Sequence, residues 1–137
     1  RGLYENEVYP GIEQLLKALT EQGKKVYLAT SKPEVYARQI LEYFHLTEYF
    51  TFIGGSELSG ERVRKGDVIA YVLEHEKITD RDKVIMVGDR MHDVLGAKEL
   101  NIPCIGVLYG YGNRQELEEA GAAMIKESVE ELHDTLV

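Results

Sequence analysis

The chain has 137 residues, 44% of them hydrophobic, and a formal net charge of -8. This length is enough for one domain with a hydrophobic core, and this composition excludes a disordered chain. The acidic balance argues against a nucleic-acid backbone or an anionic membrane as the main partner. A small anionic ligand stays open, because backbone N–H groups, one lysine and a divalent cation can bind phosphate locally.

Cys104 is the only cysteine, so no disulfide can form within the chain. Its apolar neighbours in Ile102-Pro103-Cys104-Ile105-Gly106-Val107 predict a buried strand, and a core thiol rather than a nucleophile. We therefore expect a reducing, cytoplasmic location. No apolar run is long enough to span a bilayer, and no signal peptide is visible at the start of the sequence.

Short apolar runs alternate with segments of helical periodicity along the chain. The first helical segment, with apolar residues at 12, 15, 16 and 19, lies between Pro10-Gly11 and Gly23. We predict strands at 26–29, 52–54, 84–87, 104–107 and, for a short fifth one, 124–125. The alternation predicts a Rossmann-like, doubly wound α/β domain, in which helices cover both faces of a largely parallel sheet.

Ligands of an open parallel sheet bind beyond the carboxyl ends of its strands. Thr30 and Ser31 directly follow the first predicted strand and precede a predicted helix. A hydroxyl and free N–H groups at a helix N-terminus form a phosphate site. The alternative is that Ser31 only caps its helix.

The third predicted strand ends in Gly88-Asp89-Arg90-Met91-His92-Asp93. Gly88 allows a tight turn, after which Asp89 and Asp93 can face one point. Two carboxylates suit Mg²⁺, which usually binds through one or two of them and keeps several waters. A turn aspartate followed by a helix-capping aspartate is the alternative, and spacing alone does not decide between them.

Lys65 opens the predicted helix after the stretch Gly54-Gly55-Ser56 and Leu58-Ser59-Gly60, which is rich in glycine and serine. A lysine at that point can reach a phosphate or hold an aspartate in its ionised form. A solvated lysine with no such role is the alternative.

The order of these features resembles the haloacid-dehalogenase-like superfamily. That family has a hydroxyl residue after one strand, a lysine further on, and Gly-Asp-x-x-x-Asp after a later strand. Thr30, Lys65 and Gly88-Asp89 with Asp93 match this order. The resemblance continues in Val8-Tyr9-Pro10-Gly11, in Leu108-Tyr109-Gly110-Tyr111-Gly112 and in Gln115-Glu116-Leu117, and it is strongest to the phosphoglycolate-phosphatase-like branch.

The resemblance implies a Mg²⁺-dependent phosphatase that hydrolyses small phosphomonoesters, such as phosphoglycolate, through an aspartyl-phosphate. By position, Thr30 and the N–H of Ser31 would bind the transferring phosphoryl group, and Lys65 would neutralise it. Asp89 would bind Mg²⁺, while Asp93 would support the metal through water or orient Lys65.

The sequence departs from the family at two places. Lys65 is followed by Gly66-Asp67 instead of the usual prolines, so Arg64 and Lys32 stay as alternatives to it. The nucleophile motif Asp-x-Asp-Gly-Thr does not occur in the chain. We expect that motif, most of a helical cap and the central first strand of the sheet to lie upstream of residue 1. Residues 1–137 would then be a single, partial core domain without turnover of its own.

A defective fragment with a structural or regulatory role is one alternative function, and a non-catalytic doubly wound module that binds phosphate or a nucleotide is another. A receiver-like signalling domain belongs to this class, and it has a lysine after a late strand. Lys65 instead precedes the aspartate motif, which favours the phosphatase order.

Overall fold

A computed structural model describes residues 11–57 and 64–137 of the chain. The predictions made for residues 1–10 and 58–63, including Val8-Tyr9-Pro10 and Leu58-Ser59-Gly60, lie outside these ranges. The helices are α1 (Ile12–Glu21), α2 (Glu34–Tyr43), α3 (Lys65–His75), α4 (Met91–Glu99), α5 (Arg114–Ala120) and α6 (Val129–Leu136). The strands are β1 (Tyr27–Pro33), β2 (Phe52–Ser56), β3 (Met86–Gly88), β4 (Cys104–Val107) and β5 (Met124–Lys126).

All strand pairs in the described residues are parallel, and they form two sheets, β1-β2 and β3-β4-β5. A cleft of about 1030 Å³ separates the sheets, and β1 and β3 line its opposite sides through residues such as Leu28 and Val87. No strand of the described residues lies between them. The predicted α/β fold is confirmed, and β1 and β3 do not pair with each other.

Helices cover both faces, as the alternating side chains of β4 show. Cys104 belongs to a core cluster with residues of α3, α4 and α5. Ile105 and Val107 belong to another cluster, with residues of α1 and α6. Successive strand residues point to opposite faces, so these clusters lie on opposite sides of the sheet. A further cluster joins α1 and α2 to Ile53 of β2.

Three helices end in a left-handed residue that is not glycine: His45 after α2, Lys77 after α3 and Asn101 after α4. In each, the next residue donates its backbone N–H to the carbonyl five residues earlier, as in Ile78 to Leu73 at 2.9 Å. These are Schellman motifs, whose following apolar residue packs on the helix end. Each helix therefore ends at a fixed point, but at a conformational cost that glycine would avoid.

We predict that Lys77→Gly stabilises the protein by about 0.5–1 kcal/mol. The left-handed conformation costs a lysine about 1–2 kcal/mol, and the extra entropy of glycine in the unfolded chain offsets part of the gain. Asn101→Gly should gain less, because asparagine tolerates this conformation. Denaturant unfolding measures both changes, and a destabilised Lys77→Gly variant would contradict the explanation.

The predicted boundaries differ from the structure mainly at β1. The strand extends through Thr30 and Ser31 to Pro33, and α2 begins only at Glu34. The predicted helix does follow Thr30 and Ser31, but it begins after Pro33, so these two residues belong to the strand and not to the helix N-terminus. Pro33 is the N-cap of α2, without a side-chain hydrogen bond, and Ser31 does not cap this helix.

Candidate active site

The sequence-predicted residues lie at the carboxyl ends of β1 and β3. Lys65 and Asp93 come from the first turns of α3 and α4, and Asp89 follows β3 directly. The segment 108–113, between β4 and α5, reaches the same edge. This is the edge at which parallel sheets bind ligands.

Lys65 joins the two sheets at this edge. Its Nζ lies 2.6 Å from Asp93 Oδ1 and donates a hydrogen bond of 3.1 Å to the carbonyl oxygen of Ala29 on β1. The lysine side chain is 14% exposed and the aspartate side chain 9%, so solvent screens this ion pair little. The ammonium group is therefore fixed next to Thr30 rather than solvated.

The Asp93 carboxylate is fully engaged by the protein. Oδ1 faces Lys65, and Oδ2 accepts hydrogen bonds from the backbone N–H groups of Asp89 at 3.0 Å and Arg90 at 3.2 Å. Asp93 thus closes the N-terminus of α4 and holds the lysine. Of the two roles implied for it, orientation of Lys65 has direct contacts in the structure.

A close crossing of α3 and α4 brings this pair together. A β-carbon on Gly96 would lie 3.0 Å from the backbone nitrogen of Gly66 and 3.0 Å from Cγ of Lys65. Glycine at position 96 lets α4 approach the backbone of α3, and glycine at position 66 leaves room for the Glu99 carboxylate. Gly66, where the family usually has a proline, therefore has a packing role beside Lys65.

Asp89 is held from the side of β4. Its Oδ2 accepts the backbone N–H of Tyr111 at 2.9 Å. A β-carbon on Gly110 would overlap the Asp89 carboxylate, and one on Gly112 would overlap the Asp89 carbonyl oxygen. The two glycines therefore allow the segment 108–113 to pack directly on Asp89.

The residues present fit Mg²⁺ in part. Asp89 supplies one carboxylate, whose Oδ1 accepts no hydrogen bond from the described residues. Within 11–57 and 64–137, no group of three His, Cys, Asp or Glu side chains forms a metal cluster. Mg²⁺ takes one or two carboxylates with several waters, so Asp89 is a candidate ligand that needs further ones.

Thr30 and Ser31 lie on the extended end of β1, next to the carbonyl that Lys65 binds. The Thr30 hydroxyl oxygen accepts the backbone N–H of Lys32 at 3.2 Å, which leaves its own hydrogen for another acceptor. Arg64, an alternative to Lys65, lies instead against Glu99 at 2.5 Å and is 68% exposed. The structure brings Lys65, and not Arg64, to Asp93.

Cys104 lies close to the Lys65–Asp93 pair but is not a nucleophile. Burial and the negative charge of Asp93 raise the pKa of its thiol to about 12. A thiol with this pKa stays protonated at neutral pH, and it is the thiolate that reacts.

Glu116 contacts the site in a way that the sequence pattern does not reveal. Its Oε2 accepts the backbone N–H of Met91 at 2.7 Å and Nε–H of Arg90 at 2.9 Å. The pattern of Asn113 and Glu116 predicts a helix cap and its partner. Asn113 does cap α5, accepting the N–H of Glu116 at 2.8 Å, but the glutamate side chain reaches another helix.

A family model described as haloacid dehalogenase-like hydrolase matches residues 4–107. The chain belongs to the haloacid dehalogenase-like hydrolase family. A crystal structure from Clostridium acetobutylicum, described as a predicted phosphatase, superposes on it with a TM-score of 0.96 at 49% sequence identity. The superposition covers 99% of this chain and 62% of the other.

Curated relatives of this haloacid dehalogenase-like chain differ in name. A 5'-nucleotidase of Pseudomonas aeruginosa is 47% identical, over 85% of this chain and 52% of its own length. Tyrosine-protein kinase PtkA of Mycobacterium tuberculosis is 34% identical, over 99% and 47%. Phosphoglycolate phosphatase 1 of P. aeruginosa is 29% identical, over 92% and 46%. The chain thus spans about half the length of these relatives, and the predicted family resemblance is confirmed.

No helix in the described parts of the chain combines the length and apolarity needed to cross a membrane.

We predict that Gly96→Ala destabilises the protein by about 1 kcal/mol, because overpacking costs about 1–3 kcal/mol and the better helix propensity of alanine returns about 1 kcal/mol. The added methyl group would press on the Gly66 backbone and on Lys65, which would move the lysine away from Asp93. Denaturant unfolding measures the loss. Leu95→Ala is the control on the same helix, since Leu95 is 43% exposed, and it should change stability little. A Gly96→Ala variant as stable as the parent would refute the close crossing.

We also predict that Cys104 resists alkylation by iodoacetamide at pH 8 until the protein unfolds. With a pKa of about 12, about one thiol in ten thousand is ionised at this pH. Mass spectrometry of the peptide that contains Cys104, with and without denaturant, measures the difference. Full labelling of the folded protein within minutes would contradict the buried position.

Proposed function

We propose that this chain is most of the core domain of a Mg²⁺-dependent phosphatase that hydrolyses small phosphomonoesters through an aspartyl-phosphate. One observation is the main support: Lys65 is fixed between the Ala29 carbonyl and Asp93 at the carboxyl edge of the strands. A buried, oriented cation next to a hydroxyl residue and a carboxylate is the arrangement that phosphoryl transfer needs.

Lys65 would bind a phosphoryl oxygen and offset its negative charge. Its Nζ has three hydrogens, of which Ala29 and Asp93 engage two. The third can be donated to a ligand beyond the strand ends. Since Asp93 holds the ammonium in place, little side-chain entropy is lost when phosphate binds.

Thr30 and Ser31 would bind the other phosphoryl oxygens. The hydroxyl of Thr30 retains a donor, and Ser31, an exposed residue, would add its backbone N–H at the same edge. These donors are on a strand end rather than at a helix N-terminus, so they contribute direct hydrogen bonds without a helix dipole.

Asp89 would be the contribution of this chain to the metal. Mg²⁺, when bound, neutralises charge on the phosphoryl group. The hydrogen bond from Tyr111 and the close packing of Gly110 and Gly112 fix the Asp89 side chain, so its remaining oxygen has a defined position.

The nucleophile would come from a strand outside this chain that fills the cleft between β1 and β3. The cleft is lined by apolar residues of both strands and of α1 and α3, among them Leu28, Val87, Leu15 and Ile69. Such a strand would pair with both edges, and its carboxyl end would lie next to Lys65 and Asp89. The chain spans about half of its relatives, which supports a longer protein around it.

The substrate class follows from charge and from the relatives. The names 5'-nucleotidase and phosphoglycolate phosphatase both describe enzymes for small phosphomonoesters. The site holds one lysine and one metal-binding carboxylate, which suits a single phosphoryl group. We therefore propose nucleoside monophosphates and phosphorylated acids or sugars as the compounds to test first.

We predict that the full-length protein containing this chain releases phosphate from such compounds only with Mg²⁺, and that residues 1–137 alone do not. Asp89→Ala and Lys65→Ala should each lower kcat/KM by about 100-fold or more, since each removes charge stabilisation in the transition state. A colorimetric phosphate assay over a panel of phosphomonoesters measures these changes.

Lys17→Ala and Asp134→Ala are the matched controls, because both residues are exposed on helices α1 and α6, away from the strand ends. Both variants should keep the parental activity. A folded full-length protein with no phosphatase activity would favour the non-catalytic phosphate- or nucleotide-binding module instead.

A further inference from the structure

We infer that Glu116 is a positioning residue for Asp89, acting from α5 on the segment between β3 and α4. This inference rests on the proposed function for its metal, and on the contacts of Glu116 for its geometry. Glu116 lies 27 positions after Asp89 and belongs to another helix. No part of the Gly-Asp-x-x-x-Asp pattern includes it.

The backbone N–H groups that follow β3 donate to two different carboxylates, those of Asp93 and Glu116. Asp93 Oδ2 accepts the N–H groups of Asp89 and Arg90, and Glu116 Oε2 accepts the next one, that of Met91, at 2.7 Å. Three successive N–H groups at the start of α4 are therefore bonded to charged acceptors, which are the stronger kind of hydrogen bond. Without Glu116, the last of the three would lose its partner in the protein.

The Arg90 side chain adds a second connection. Its Nε–H donates to the same Glu116 oxygen at 2.9 Å, so the glutamate bonds both main chain and side chain of this segment. Glu116 is fixed in turn, because its own N–H is bonded to the Asn113 side chain at 2.8 Å. The first turn of α5 thus holds Arg90 and Met91, the two residues that follow Asp89.

The contact of Glu116 also involves the segment 108–113, which packs on Asp89 from the other side. The segment 108–113 binds the Asp89 carboxylate through the Tyr111 N–H, and it leads directly into α5. A β-carbon on Gly112 would lie 3.3 Å from Glu116 Oε2 and would overlap the Asp89 carbonyl oxygen. Gly112 therefore packs on Asp89 and lies close to Glu116, and we expect a shift of Glu116 to disturb the segment that supports the Asp89 carboxylate.

The test compares Glu116→Ala with Glu116→Gln in the full-length protein. Alanine removes both acceptor contacts, whereas glutamine keeps an acceptor oxygen and loses only the charge. Partners of a metal ligand typically affect metal affinity about 10–100-fold. We expect Glu116→Ala to weaken Mg²⁺ binding about tenfold or more by calorimetry, and Glu116→Gln to stay within about threefold of the parent.

A second readout does not depend on metal or activity. Hydrogen exchange of the Arg90 and Met91 amides, measured without Mg²⁺, should speed up about tenfold or more in Glu116→Ala, but not in Glu116→Gln. Glu118→Ala is the control, since Glu118 is exposed on the same helix and its side chain, among the described residues, pairs only with Arg114, across 3.8 Å. It should change neither exchange nor Mg²⁺ affinity.

The outcomes separate the two proposals. Unchanged exchange and Mg²⁺ affinity in Glu116→Ala would overturn the positioning role. Equal losses in the alanine and glutamine variants would overturn it as well, because the acceptor oxygen that glutamine keeps would then not be what positions the segment. A third outcome is faster exchange in Glu116→Ala but not in Glu116→Gln, in a full-length protein that has no phosphatase activity. That result would keep the positioning role and reject the proposed function. Recovery of Glu116→Ala activity at saturating Mg²⁺ would support both.

Discussion

The ion pair between Lys65 and Asp93 is the interaction on which the site depends. Lys65 lies on α3, and Asp93 lies on α4, which follows β3 of the second sheet. The lysine also binds the Ala29 carbonyl on β1 of the first sheet. Both side chains are largely buried, so removing one partner would leave a charge without compensation, at a cost of about 3–5 kcal/mol. The same contact therefore aligns the ends of β1 and β3 and fixes the cation.

Glycines make this arrangement sterically possible at several points. Gly96 allows α3 and α4 to cross closely, Gly66 leaves room for the Glu99 carboxylate, and Gly88 leaves room for Asp93 above the end of β3. Gly110 and Gly112 do the same for the segment that packs on Asp89. Each of them allows a side chain or main chain from a distant part of the sequence to approach the backbone. The charged groups can therefore lie within hydrogen-bonding distance of each other without water between them.

Local patterns were sufficient to predict the elements but not all of their contacts. The strand at 104–107 was predicted with its observed bounds, because a short apolar run between polar turns has few other structures open to it. The order of Thr30, Lys65, Asp89 and Asp93 also placed these residues at one edge of the sheet, as the structure has them.

The extension of β1 to Pro33 was missed, because it depends on pairing with Ser56 of β2. The contact of Glu116 with Met91 was missed for a similar reason: a glutamate three residues after a cap usually bonds its own helix, and only the packing of α5 beside α4 redirects it.

The two aspartates of one motif have separate tasks in this structure. Both carboxylate oxygens of Asp93 are engaged, one by Lys65 and the other by backbone N–H groups. Asp89 has one engaged oxygen, which accepts the N–H of Tyr111. Of these two aspartates, only Asp89 has a carboxylate oxygen that accepts no hydrogen bond from the described residues. Mg²⁺ binds through one or two carboxylates, so a second one would have to reach this point from elsewhere. The cleft between β1 and β3 opens at the same edge, and a strand that filled it would end between Lys65 and Asp89. The apolar cleft and the unengaged oxygen of Asp89 are both explained by the proposed strand, which would bring apolar side chains to the cleft and a carboxylate to its end.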